Sequence, residues 1–107
     1  MTLSQIDPKI VDKVRQMDDK LNALRTYDAN DIQRYLYHLI TFNRVEVGWR
    51  ESCGKTDHTH KVYREWVKVV KMLAKSGVTL TEEPVTFGNS YATLSGGFWR
   101  SIIYTIN

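Results

Sequence analysis

The pattern of apolar residues changes at Gly77, and this change constrains the fold more than any other feature. Before Gly77, apolar residues recur every three or four positions, which is the spacing of amphipathic helices. After it come short runs rich in β-branched and aromatic residues, such as "VTLT", "SYATLS" and "FWRSIIYTI", separated by glycine-containing turn signals. The sequence therefore predicts an α+β protein, in which three helices are followed by a small C-terminal antiparallel sheet, a β-meander.

The length and composition favour one domain. The chain has 107 residues, of which 42% are hydrophobic and 25% charged, an ordinary globular composition. We expect a single domain over residues 1–107, with a helical part at about 8–76 and a β part at about 78–106. The single cysteine, Cys53, excludes an intramolecular disulfide, and no apolar run is long enough to span a membrane. We therefore expect a cytoplasmic protein that does not associate with membranes.

The first helix is predicted to begin at Pro8, with Asp7 as its N-cap. Its apolar residues recur at intervals of 4, 3, 4 and 3, which forms a narrow seam typical of helix pairs. The seam consists of Ile10, Val14, Met17, Leu21 and Leu24. It packs either on another helix of the same chain, which we favour because short helix pairs are common in small domains, or on a second copy in a homodimer.

The second helix is predicted to begin at Asn30, which has the spacing of a capping box with Gln33. Its broad apolar face continues to Val47, so we expect the helix to end at about residue 47. Asn43 then falls in the middle of that face. We expect a buried amide that has a hydrogen-bond partner, and a hydrogen bonder in a pocket is the alternative.

The third helix is predicted to be amphipathic, with apolar residues on one side and positive charges on the other. Thr56 or Asp57 can cap its start, and Gly77 suits the position after its end. Apolar residues cluster on one side: Val62, Trp66, Val69, Val70 and Leu73. The opposite side carries five basic residues within an arc of about 80°. They are Lys61, Arg64, Lys68, Lys71 and Lys75.

This basic side of the third helix is the leading candidate for a binding site. Residues 50–75 hold seven basic and three acidic side chains, whereas residues 1–49 hold seven of each. Like charges three or four positions apart on a helix destabilise it by about 0.2–0.5 kcal/mol per pair. A phosphate backbone or an acidic protein surface would remove that repulsion, and plain solvation is the alternative. Arg50 and Trp49 are further candidates because arginine and tryptophan are enriched at binding hot spots, although core packing also explains the tryptophan.

A second cluster of potentially reactive side chains precedes the third helix. Cys53, His58 and His60 are residue types that bind zinc, but their spacing matches no familiar zinc site and a second cysteine is missing. The cluster is therefore a weak metal candidate. It supplies no complete nucleophile, base and oxyanion site either, and we expect no cofactor.

The sequence thus predicts a small non-enzymatic binding or accessory protein. It would engage an anionic partner, namely nucleic acid, a nucleoprotein or an acidic protein surface, through the basic side of its third helix. The alternative is a self-associating structural or regulatory protein, such as an inhibitor, that uses the seam of the first helix. A metal-dependent or cysteine enzyme is a less favoured third hypothesis.

Overall fold

A computed structural model describes residues 1–51, 58–85 and 98–107 of the chain. This part of the chain contains three α-helices, three strands and a short 3-10 helix. In chain order they are η1 (Leu3–Gln5), α1 (Pro8–Asn22), α2 (Asp31–Phe42), β1 (Arg44–Glu51), α3 (His58–Lys75), β2 (Leu80–Val85) and β3 (Phe98–Ile106). The predicted α+β class is confirmed. Helix α1 packs on α2 and α3, which in turn pack on β1.

Helix α1 begins as its sequence predicts. Pro8 occupies the first turn, and the Asp7 carboxylate accepts a hydrogen bond from the backbone N–H of Lys9 at 3.0 Å. Four seam residues are buried in the core of the chain: Ile10, Val14, Met17 and Leu21. Leu24 lies beyond the end of the helix and is 65% exposed. The seam therefore packs mainly within the chain, and Leu24 is its one exposed member.

Helix α2 ends at Phe42, so the prediction that it continues to about residue 47 is wrong. Asn43 adopts a φ of 64°, in the left-handed region, and this conformation ends the helix. Asparagine tolerates this region better than most residues because its short side chain can hydrogen-bond locally. Its side chain is exposed, which also corrects the expectation of a buried amide.

Strand β1 occupies a segment that the sequence assigned to the helical part. Its inward residues Val45, Val47 and Trp49 are buried and alternate with outward Arg44 and Glu46, which is the period of a strand with one buried face. Val47, expected on the face of the second helix, thus belongs to a strand. The helical part predicted at about 8–76 is interrupted here.

The described strands form one antiparallel sheet in the order β1-β3-β2. The central position of β3 agrees with the large apolar residues on both of its faces. The order differs from a meander, because β1 precedes α3 in the chain and pairs with the last strand. The glycine pair Gly96 and Gly97, one of the turn signals in the sequence and suited to a two-residue hairpin loop, lies outside the described residues.

Helix α3 ends in a Schellman motif, which confirms the prediction for Gly77. This glycine has a φ of 96°, and its N–H donates to the carbonyl of Ala74 at 3.1 Å. The next N–H, from Val78, donates to the carbonyl of Leu73 at 2.8 Å. The last carbonyls of the helix are therefore satisfied as the chain turns toward β2.

The start of α2 is capped by a residue of α1. Asp18 is 0% exposed, and its carboxylate accepts from the backbone N–H groups of Ile32 at 3.0 Å and Gln33 at 2.9 Å. The side-chain amide of Gln33 also donates to it, at 3.0 Å. Asn30, the predicted cap, makes no such bond. A negative charge at a helix N-terminus interacts favourably with the helix dipole, so this contact fixes α2 relative to α1.

The centre of the core is aromatic. Trp66 of α3 is fully buried, and the rings of Tyr35 and Tyr104 meet it edge-on, each with its centroid at 5.7 Å. The core face predicted for the third helix is confirmed, with Val70 at its half-buried margin.

Within the described residues, the helices are too short or too polar to cross a membrane.

Candidate functional site

The basic side of α3 is exposed along its full length. Its five members are Lys61, Arg64, Lys68, Lys71 and Lys75. They face outward because the opposite side of the helix, with Trp66 and Val69 at its centre, is buried in the core. The structure thus places them on one surface, as their spacing predicts.

Within the part of the chain that the structure describes, most of these cations form no ion pair. Lys68 forms an ion pair with Glu65 one turn earlier, with 2.8 Å between Nζ and Oε1. Among the described residues, the other four make no ion pair. Lys68 is exposed and Glu65 is half-buried, so this ion pair is largely screened by solvent and contributes little to stability.

Helix α1 adds a second row of lysines beside the first. Its N-terminal half lies next to the C-terminal half of α3, where Ile10 and Met72 line a common hollow of about 270 Å³. The C-terminal half of α1 lies next to the start of α3. The two helices are therefore antiparallel. Three exposed lysines of α1 border the same hollows: Lys9, Lys13 and Lys20.

We call the eight cations of these two helices the basic face. It consists of Lys9, Lys13, Lys20, Lys61, Arg64, Lys68, Lys71 and Lys75. The α1 row is detectable in the sequence, because positions 9, 13 and 20 share one side of a helix. It was not predicted because acidic residues balance the charge of residues 1–49, and one of them, Asp7, lines the hollow beside Lys9 and Lys75. Asp12 and Asp19 point to another side of α1, and Asp18 is buried.

A hollow of about 460 Å³ opens within the basic face, and we call it the Leu24 groove. Its apolar lining is Met17 and Leu21 at the base and Leu24 at the side. Its charged lining is Lys20, Lys61, Arg64, Glu65 and Lys68. The groove therefore combines an apolar base with a predominantly positive rim.

Trp49 and Arg50, also predicted to contact a partner, are not part of the basic face. Trp49 is only 7% exposed and stacks on Tyr63, with ring centroids 3.8 Å apart. Its place in the core agrees with the alternative that it is a packing residue, and a contact with a partner stays a prediction. Arg50 is half-buried in β1, and its backbone N–H donates to the hydroxyl of Thr59 at 2.8 Å.

A polar cluster joins the loop after α1 to the starts of α2 and α3. Arg25 donates to the carboxylate of Asp31 at 2.9 Å and lies 3.1 Å from Nε2 of His58. It also donates to the side chain of Asn22 and to the carbonyl of Ala29. The guanidinium is nearly buried and already has these partners, so the cluster holds the loop and offers no free cation to a ligand.

The proposed metal ligands are only partly described. Cys53 lies outside the described residues, His58 contacts Arg25, and the ring of His60 lies edge-on to Trp49 at 6.5 Å. Within residues 1–51, 58–85 and 98–107, no three histidine, cysteine or acidic side chains come together as a metal site would require.

Two tyrosines have shifted acidity. Burial, reinforced by the charge of Asp31, raises the pKa of Tyr35, and burial also raises the pKa of Tyr104. Both shifts move the phenols away from physiological pH, so both stay neutral and act as packing groups.

Comparisons of the chain with protein-family models, with curated proteins and with solved structures find no match.

Proposed function

We propose that this protein is a non-enzymatic binding module that engages an anionic partner through the basic face. The observation that carries the proposal is the position of eight cations on adjacent exposed sides of two antiparallel helices. On each helix the basic residues follow one another at helical spacing, and Glu65 is the carboxylate within the α3 row.

Repulsion among these cations destabilises the unbound protein. Five pairs of like charges stand three or four positions apart, four on α3 and Lys9 with Lys13 on α1. At about 0.2–0.5 kcal/mol each, these repulsions sum to about 1–2.5 kcal/mol at low ionic strength, and the Lys68–Glu65 ion pair offsets part of them. Salt or a bound polyanion removes this repulsion. A polyanion gains in addition from the release of its own counterions.

The experiment compares two variants of equal net charge. Lys61→Glu with Lys71→Glu reverses two cations of the basic face that make no described ion pair. Arg15→Glu with Arg44→Glu makes the same charge change on exposed residues elsewhere. Binding is measured by fluorescence anisotropy with labelled random-sequence duplex DNA and with a glutamate-rich peptide, across a salt series, after circular dichroism shows that both variants are folded.

For the wild type, four or five phosphate contacts would give a slope of log K against log salt of about −4 on duplex DNA. The basic-face variant should weaken binding of whichever probe binds and flatten the DNA slope by about 1.8. The control variant should keep most of the affinity. Failure of both probes to bind at low salt, or equal losses in the two variants, would refute the proposal.

A further inference from the structure

The Leu24 groove differs from the rest of the basic face because its base is apolar. Met17 and Leu21 form the base, and Leu24 stands 65% exposed beside them at the end of α1. Large apolar side chains at the centre of a charged surface are typical of sites that bind other proteins.

The charges around the groove restrict its occupant. Lys20 stands on the α1 side, and Lys61 and Arg64 stand on the α3 side, so positive charge borders the apolar base from both helices. Glu65 is already bound to Lys68. An acidic partner is therefore attracted to the rim, while a basic or neutral one gains nothing from it.

Nucleic acid fits the groove less well than a peptide does. A phosphate backbone would use the lysines of the basic face but would leave Leu24 and the base uncovered. A segment of protein can supply both kinds of contact at once. An amphipathic helix does so when apolar residues repeat every three or four positions and carboxylates flank them.

We propose that the Leu24 groove binds an acidic amphipathic segment of another protein. Apolar side chains of that segment pack on Leu24, Met17 and Leu21, while its carboxylates lie against Lys20, Lys61 and Arg64. The proposal rests on the proposed function and narrows it, because it identifies the anionic partner as a protein segment and the groove as its anchor point.

The test uses two synthetic helical peptides of equal length and equal glutamate content. One carries leucines at helical spacing, and the other carries alanines at the same positions, which keeps helix propensity high. Random-sequence duplex DNA is the third probe. The protein variants are Leu24→Gln, which alters an exposed side chain of the groove, and Leu3→Gln, a matched control on η1 that is also exposed.

We expect the leucine peptide to bind at least about tenfold more tightly than the alanine peptide, a difference of about 1.4 kcal/mol. Leu24→Gln should remove most of this difference and leave binding of the alanine peptide unchanged. Leu3→Gln should change neither. Equal affinities for the two peptides, or no effect of Leu24→Gln, would overturn the proposal.

Other occupants give different results. DNA binding that exceeds binding of the leucine peptide and is insensitive to Leu24→Gln would assign the face to nucleic acid and overturn the inference. A concentration-dependent native mass that Leu24→Gln abolishes would assign the groove to a second copy of the chain and overturn it as well. In each of these cases Lys71→Glu with Lys75→Glu, a basic-face variant whose two exposed residues lie outside the groove lining, reports separately on the proposed function.

Discussion

Replacing Asp18 with asparagine should destabilise the protein strongly, although the two side chains have almost the same size and shape. The carboxylate is 0% exposed and accepts three hydrogen bonds, two of them from backbone N–H groups in the first turn of α2. An asparagine of the same shape can accept with its oxygen, but its NH₂ group then faces a donor. One buried N–H is left without an acceptor, and the charge at the helix N-terminus is lost.

The two losses can be given rough magnitudes. An unsatisfied buried donor costs about 1–3 kcal/mol, and a partly buried charge at a helix terminus contributes up to about 2 kcal/mol. We therefore expect Asp18→Asn to lower the free energy of unfolding by about 2–4 kcal/mol. Since 1 kcal/mol corresponds to several degrees in a domain of this size, Tm should fall by about 10–20 °C.

The assay is thermal unfolding followed by circular dichroism, with urea unfolding to obtain the free energy. Asp19→Asn is the matched control, because Asp19 is the adjacent residue and its side chain is exposed. That control should stay within about 0.5 kcal/mol of the wild type. If Asp18→Asn unfolded at the same temperature as Asp19→Asn, the cap between α1 and α2 would not exist as described.

Two further predictions concern single residues and use the same assay. Gly77→Ala should cost about 1–2 kcal/mol, because the φ of 96° is strained for any residue with a Cβ, although the new methyl group would meet no atom within 4 Å; an unchanged Tm would contradict the Schellman geometry. Arg25→Met should cost about 3–5 kcal/mol, because it leaves Asp31 without its nearly buried partner. Arg34→Met removes an exposed partner of the same carboxylate and should cost at most about 1 kcal/mol, so equal losses would contradict the assigned role of Arg25.

The features that the sequence predicted correctly are set by residues close together in the chain. The start of α1 depends on Asp7 and Pro8, and the end of α3 depends on Gly77 and the two residues around it. The core side of α3 depends on a period of 3.6 residues, which its sequence shows clearly. Each of these signals acts within one or two helical turns, so no knowledge of the remaining chain is needed.

The features that the sequence did not predict depend on distant parts of the chain. Val45, Val47 and Trp49 alternate as in a strand, but β1 is stabilised by pairing with β3 more than 45 residues later. Local spacing alone allowed the helix before it to continue through Asn43. In the sequence, nothing distinguishes Asp18 from a carboxylate on the surface of a helix. It caps α2 only because α1 packs on α2 in the folded chain.

The candidate site was predicted in part for the same reason. The row of basic residues on α3 could be predicted from their spacing, because few acidic residues close to it in the sequence balance its positive charge. The α1 row and the Leu24 groove required the antiparallel packing of α1 on α3, which brings Lys20 and Leu24 next to Lys61 and Arg64. For Trp49 the sequence left a partner contact and core packing both open, because the strand that buries its side chain was not recognised.

The most direct test of the central claim is a chemical-shift map of the bound state. The ¹⁵N-labelled protein is titrated with the glutamate-rich peptide at low salt, and the shifts of the backbone amides are followed. We predict that the largest changes lie on the basic face of α1 and α3, and that added salt reverses them. Changes confined to the sheet around β2 and β3, or no saturable change either with the peptide or with random-sequence duplex DNA titrated in the same way, would contradict the assignment of the basic face as the binding site.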